Sequence, residues 1–377
     1  MDSIKVHRLK KKMILVLFLF LALAGLLVLF LSGKKFGHLP TGARLVRIKR
    51  SPHYQSGRFK NLIPTPTRTE GVTNFRLFWD YLFGRHERLR PAGPVLSQKT
   101  NLMALSLAEN VLVWFGHSSC FIQAEGQRWL IDPVFSPSAS PFFFAIRAFA
   151  GSNCYRAGDL PEIDYLLLSH DHWDHLDYPT IMRLKFKVKS IICGLGVGAH
   201  LERWGFRPEQ IIETDWNETT ELGGGVRVHT QTARHFSGRG LHFNRTLWVS
   251  YVIETSRRRL YFGGDSGYGP HFMEIGARFG PFDLTILENG QYDANWKDIH
   301  MSPEEVLLAA ADLRAVRLLP VHSGKFCISN HPWDEPLKRI STLSREEGIY
   351  LVTPRIGEQV NLDDIGQKWS AWWEEVQ

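Results

Sequence analysis

Hydrophobic residues are distributed along this chain in two ways. Near the N-terminus, residues 13–32 form one unbroken block without a charge, built almost wholly from Leu, Phe, Val, Ile and Ala, with Lys10, Lys11 and Lys12 before it and Lys34 and Lys35 behind it. Twenty helical residues cover about 30 Å, the thickness of a hydrocarbon core, so the block predicts a single spanning anchor. A cleaved secretory signal has an apolar region of about 7–15 residues closed by a small-residue site. This block is longer, and no Ala-x-Ala follows it. From about residue 110 onward the apolar runs are short and end in polar or glycine-rich loops. Runs at 111–115, 129–131, 165–168, 190–192, 247–253 and 260–262 read as strands, several continuous enough to be buried on both faces. Helical patterns lie between them. Residues 75–90 mix aromatic side chains with arginines in the manner of an amphipathic helix, placed either near a membrane or on the domain. Ser302-Pro303-Glu304-Glu305 has the capping Ser, the Pro at the first helical position and the Glu three residues after the cap that open a helix. Strands with intervening helices predict sheets covered by helices, a layered α/β architecture.

Residues 33–70 break these patterns. Gly33, Gly37, Gly42 and Gly57 interrupt the stretch and Pro64-Thr65-Pro66-Thr67 closes it, a composition that favours an extended, solvated connector. The expected organisation is a basic tail over 1–12, the anchor over 13–32, a linker over 33–70 and a folded domain over 71–377.

Composition changes the picture little, and charge changes it more. With 44% hydrophobic and 22% charged residues, the 377-residue chain is ordinary for a globular protein. Its formal charge is +7, yet residues 1–60 alone carry +12 and the remainder −5. A nucleic-acid-binding domain carries its own basic footprint, so nucleic acid is not an expected partner. A surplus beside an apolar helix suits the anionic headgroups of a bilayer instead. The expected location is a membrane, held by one N-terminal pass through residues 13–32. Positive residues at both ends of the block leave the side of the domain open. Cys120, Cys154, Cys193 and Cys327 form no paired motif, so neither a zinc ribbon nor a dense disulfide framework is expected.

Candidate chemistry concentrates in Ser169-His170-Asp171-His172-Trp173-Asp174-His175, directly after the apolar run at 165–168. Three histidines and an aspartate within six residues at a strand end bring nitrogen and oxygen ligands into one small volume, a set that suits zinc, iron or manganese. His-x-His-x-Asp-His after a strand resembles the signature of the metallo-β-lactamase superfamily. The resemblance implies a four-layer αββα sandwich with metals at its edge and three further ligands downstream: a histidine, an aspartate after a strand, and a last histidine. His235, Asp265 and His322 stand in that order. By this resemblance His170, His172 and His235 hold one divalent ion and Asp174, His175 and His322 the other, with Asp265 bridging. Zinc is the first expectation, with iron or manganese as alternatives. Without the family order, His229, His242, His271 and His300 compete for the downstream places. His117 and Asp132 are expected behind the ligands, where a carboxylate accepts the outer ring hydrogen of a ligating histidine and fixes its tautomer. Two cations a few ångströms apart would turn a bridging water into hydroxide near neutral pH. No convincing Gly-x-Ser-x-Gly elbow supports a serine hydrolase.

Residues from about 94 to 335 are further similar to the N-acylphosphatidylethanolamine-hydrolysing phospholipase D group and its bacterial relatives. The similarity rests on Trp114-Phe115-Gly116-His117, Asp132-Pro133-Val134-Phe135, Gly264-Asp265-Ser266-Gly267-Tyr268, and His300 ahead of Ser302. It implies a phosphodiesterase acting on a phospholipid, with Asp174 and Asp265 at the reacting centre and His300 near the headgroup. Taken alone, His300 reads equally as a solvated residue before a helix cap. The apolar loop Phe142-Phe143-Phe144-Ala145-Ile146 suits the border of an acyl groove, or a core. The chain departs from that group in its added anchor and in Glu288-Asn289-Gly290-Gln291-Tyr292. Two other readings compete: a lactone or cyclic-phosphate hydrolase with a soluble small-molecule substrate, and a noncatalytic anchored metal scaffold. Retention of all seven candidate ligands disfavours the scaffold. Whether the chain forms an oligomer is left open.

Overall fold

The computed structural model of the chain describes residues 2–84 and 86–376. A first seven-stranded sheet contains β3 (Val111–Trp114), β4 (Cys120–Ala124), β5 (Gln127–Ile131), β6 (Ile163–Leu168), β7 (Val188–Gly194), β8 (Ile211–Thr214) and the late β16 (Gln359–Asn361), in the order β16-β3-β4-β5-β6-β7-β8. A second has the order β15-β14-β13-β12-β11-β10-β9. It contains β9 (Thr219–Glu221), β10 (Arg227–Gln231), β11 (Ser250–Glu254), β12 (Arg259–Phe262), β13 (Leu284–Glu288), β14 (Arg317–Val321) and β15 (Tyr350–Leu351). The strands β5 to β8 run parallel, as do β12 to β15.

Side-chain alternation explains why the continuous apolar runs are strands in this fold. On β6, Leu167 packs between the sheets with Ile122, Ile192 and Tyr251, while Leu166 and Leu168 point the other way. There they meet Ile181 and Leu184 of α4 (Tyr178–Leu184) and Leu201 of α5 (Gly198–Arg203). The second sheet is built likewise. Its outer face carries α6 (His271–Phe279), α7 (Pro303–Asp312) and α8 (Glu335–Glu347), whose Phe272, Val306 and Ile340 cover Tyr261, Leu287 and Leu318. Helices, sheet, sheet and helices make the four-layer αββα sandwich. The expected helix after Ser302 is present with its complete capping box. One strand is shorter than its apolar run: Leu247, Trp248 and Val249 lie outside β11, because the amides of Leu247 and Val249 donate to Leu195 and Ser169 at the ends of β7 and β6 in the opposite sheet. All four cysteines are free.

At the N-terminus, α1 (Asp2–Leu31) is the one helix among the described residues long and apolar enough to cross a bilayer; its most apolar stretch within Lys5–Leu31 has a mean hydropathy of 3.3 and none of its residues is buried. Residues 33–70 are not the extended, solvated connector that their glycines suggest. They contain α2 (Gly42–Arg50) and a hairpin of β1 (Tyr54–Gln55) and β2 (Arg58–Phe59), and Ile48 and Phe59 are fully buried in the inter-sheet core. Arg44 ties α2 to Glu202 (2.7 Å) and Glu213 (2.5 Å). The expected helix over 75–90 is α3 (Asn74–Phe83); it ends at Gly84, and Arg85 lies outside the described residues. Its Phe75, Trp79 and Phe83 form an exposed aromatic stripe.

Candidate metal centre

The C-terminal ends of strands from both sheets deliver the site. β6 leads straight into Ser169 and His170, β5 into Asp132, β12 into Gly263-Gly264-Asp265, and β14 into His322, while His235 follows β10. Two glycines allow this convergence. At Gly264 (φ +60°) a Cβ would lie 2.9 Å from Ser169 Cβ and from the Val249 carbonyl, and at Gly290 it would lie 2.3 Å from the His322 carbonyl. No other residue type permits such approach without moving the ligands.

The structure brings all seven expected ligands together, and the hydrogen bonds of His170, His175 and His235 set an outer nitrogen apart from an inner one. His170 Nδ1 donates to Ser169 Oγ (2.9 Å), which donates to Asp132 (2.5 Å). His175 Nδ1 donates to Asp132 Oδ2 (2.8 Å), and His235 Nδ1 donates to the Ile299 carbonyl (3.0 Å). The inner nitrogens face one another. His172 Nδ1 lies 2.8 Å from His170 Nε2 and 3.3 Å from His235 Nε2. Ligand nitrogens around a tetrahedral ion with bonds of about 2.0 Å sit about 3.3 Å apart, so the donor set fits a divalent cation of this kind. On the other side His175 Nε2 is 3.1 Å and His322 Nε2 3.2 Å from Asp265 Oδ2, and His322 Nε2 is 3.3 Å from Asp174 Oδ2. Within ligand spacing of one another stand His170, His172, His235 and Asp265, then His117, Asp174, His175 and His322, and finally Asp265, His300 and His322. Asp265 Oδ1 is buried without a hydrogen-bond partner, a costly state that a cation relieves.

The electrostatics agree. Burial pushes His170 and His235 well below the ordinary imidazole range, which keeps them neutral as ligation requires. Burial opposes the charge on Asp174 and Asp265, yet His175 holds both carboxyls well below the usual range, helped by His322. Burial also works against protonation of His322, and Asp265, Asp174 and Glu288 nonetheless raise it to about 10. Buried carboxylates here demand positive charge.

The residues expected behind the ligands differ in kind. Asp132 braces His175 and, through Ser169, His170. His117 is nearer the centre: its Nε2 donates to Asp174 Oδ2 (2.9 Å), and it stands within ligand spacing of His175 and His322. His300 is a buried cavity residue rather than a solvated one, its Nδ1 3.3 Å from Glu288 Oε2. The competitors are placed elsewhere: His229 pairs with Glu254, His271 with Ser266, and His242 is exposed. Sequence reasoning missed Glu288, which is fully buried at the end of β13, 3.6 Å from His322 Nδ1, and bonded to the Met301 amide (2.6 Å). Its signal was the same as that of Asp265, an acid at the end of an apolar parallel strand. It also missed the N-terminal segment, whose Asn61 exchanges bonds with the His235 backbone and whose Arg68 and Leu77 line the cavity over the cluster. That cavity holds about 340 Å³ and has apolar walls at Phe236, Trp296, Ile299 and Ile328.

Residues 127–323, just over half of the chain, match the family model described as the beta-lactamase superfamily domain. The chain belongs to the metallo-β-lactamase superfamily. An uncharacterised protein of Mycobacterium tuberculosis is 38% identical over 330 residues, covering 86% of this chain and 88% of the relative. An N-acyl-phosphatidylethanolamine-hydrolyzing phospholipase D of Caenorhabditis elegans is 31% identical over 231 residues, which cover 56% of this chain and 63% of that protein. A metallo hydrolase of Ignicoccus hospitalis shares the fold with a TM-score of 0.52 at 21% identity, covering 67% of this chain and 98% of the other. With its family and its His/Asp cluster, this superfamily member is a metal-dependent hydrolase.

Proposed function

We propose that this superfamily member is a membrane-anchored phosphodiesterase of phospholipase D type, acting on N-acyl phosphatidylethanolamine-like lipids with two divalent ions, zinc first among them. The observation that carries the reading is the cavity itself, a floor of histidines and aspartates beneath apolar walls in a chain that carries an exposed apolar helix. Similarity to the Caenorhabditis elegans phospholipase D supports the same substrate class. When bound, the ions polarise the phosphoryl oxygens and lower the pKa of water. His170, His172, His235 and Asp265 would hold one, and Asp174, His175 and His322, again with Asp265 in reach, would hold the other. In the hydrolysis, water oxygen adds to phosphorus, the bond from phosphorus to the ethanolamine oxygen breaks, and phosphatidate and an N-acylethanolamine leave. The one proton lost by water passes to a carboxylate at the reacting centre, Asp174 or Asp265. His300, braced by Glu288, returns one to the departing oxygen, and Arg68 lines the wall of the cavity that takes the anionic diester.

The test is an assay of the purified full chain on N-acyl phosphatidylethanolamine with and without chelator. Chelator-sensitive release of phosphatidate is the expected result. Turnover of lactones alone, or an inert metal-loaded protein, would overturn the lipid reading.

A further inference from the structure

The junction between α1 and the domain is held by several direct contacts, and it rests on the loop of residues 169–175, the metal loop. Phe30 in the last turn of α1 stacks on Phe142 (5.1 Å between ring centres), and Lys35 Nζ donates to the Pro141 carbonyl (2.6 Å). Two further bonds hold the chain just past the helix, Arg203 Nη2 to the Ser32 carbonyl (3.0 Å) and Trp204 Nε1 to the Lys34 carbonyl (2.7 Å). The buried Arg239 joins this neck to the metal loop, donating to the Lys35 carbonyl (2.9 Å) and to the carbonyls of Asp171 (2.9 Å) and Leu176 (2.6 Å). Phe36 meets Trp173, which lies between His172 and Asp174, at 5.2 Å. Where α1 leaves a bilayer, the metal loop is therefore only a few side chains away.

The surface around this exit has the composition of an interfacial one. Phe143 is 81% and Phe144 65% exposed, and Leu241 and Phe243 are exposed as well. Single exposed apolar residues are ordinary, whereas a cluster beside an apolar helix marks a contact surface. Exposed Lys34 and Arg203 border it, cations suited to anionic headgroups. From this face an aromatic path leads inward: Phe243 contacts Phe236 (6.5 Å), and Phe236 contacts both His172 (4.5 Å) and His235 (4.8 Å).

We propose that the face formed by Phe142 to Phe144, Leu241 and Phe243 sits in the headgroup layer of the leaflet where α1 ends, and that the metal centre is loaded from that leaflet along Phe243 and Phe236. The loading step rests on the lipid-hydrolase reading above, whereas the docking step rests on the neck geometry. A lipid whose headgroup must reach the ions keeps its acyl chains in the bilayer along this route, and needs no full extraction into water.

The experiment uses the full chain reconstituted in phosphatidylcholine vesicles whose acyl chains carry bromine. A fluorophore is placed on Phe143→Cys and, in a second sample, on Ile365→Cys, with the unsubstituted chain labelled as background. Ile365 is exposed beside the start of β14, at the end of the sheet opposite His322. Strong quenching at position 143 and none at 365 is expected, and equal quenching at the two positions overturns the docking face. In parallel, the combined Phe143→Ser, Phe144→Ser and Leu241→Ser variant should lose at least about tenfold of its turnover on vesicle-held N-acyl phosphatidylethanolamine, equivalent to about 1.4 kcal/mol. Its turnover of the water-soluble bis(p-nitrophenyl) phosphate should be unchanged. Equal retention of both activities overturns loading from the leaflet. Failure of the unsubstituted chain to cleave the lipid would overturn the proposed substrate, while the quenching result still decides the docking face.

Discussion

Among single residues, Asp132 carries the largest share of the support behind the ligands, because it accepts from His175 and Ser169 at once. Loss of such a partner weakens metal binding about 10–100-fold. Asp132→Ala should show that loss in competition against a chromophoric chelator, with unaltered affinity contradicting the role. Lys325 offers a test of stability. Its ammonium is fully buried, donates to the Phe115 (3.2 Å) and Val134 (2.7 Å) carbonyls, and is pushed down by burial to about 8. In the unfolded chain a lysine titrates at about 10.4. Between these values the unfolded state binds more protons, so folding gains up to about 1.4 kcal/mol per pH unit as pH rises, and this gain is lost as pH falls back through 8. Denaturation of the full chain in micelles at pH 8 and pH 10 should show this gain for the wild type relative to Lys325→Met, and parallel behaviour of the two would rule it out. The legible part of the site follows from the same scale. Four candidate ligands within six residues announce themselves, whereas His235, Asp265 and His322 were placed only by family order. Glu288 shows its place only through contacts with His300, Met301 and His322, which lie outside its own strand.

Elements were readable where one local pattern governs them. The run at 165–168 is β6 because both of its faces are buried, and Ser302 opens α7 through a cap that needs only its neighbours. Residues 33–70 were not readable, since their two core residues, Ile48 and Phe59, are too far apart to make a period, and Arg44 finds its carboxylates some 160–170 positions later. Leu247 to Val249 misled in the opposite sense: an apolar stretch looks like a strand whether its amides join its own sheet or the opposite one. The cap on α7 matters beyond the helix because the turn before it holds His300. Ser302→Ala removes the acceptor for the Glu305 amide and should cost about 1 kcal/mol. A lowered melting temperature with retained metal content is the expected outcome, and an unchanged melting temperature would deny the cap its role.

At the scale of the whole molecule, two sheets from distant stretches of sequence pack face to face, so that three overlapping His/Asp groups with the spacing of metal ligands form between their strand ends. The N-terminal segment completes the cavity wall, and the neck beyond α1 packs on the metal loop. Fold, cavity and N-terminal helix are thus joined by direct contacts, and the claim on which the functional account depends is that the site holds two divalent ions. Elemental analysis of the full chain, and of His172→Ala and Asp265→Ala, tests it most directly. The account predicts two ions per wild-type chain and reduced content with abolished hydrolysis in both variants, while a wild-type chain that retains no divalent ion after dialysis against zinc, or variants with undiminished content, would contradict it.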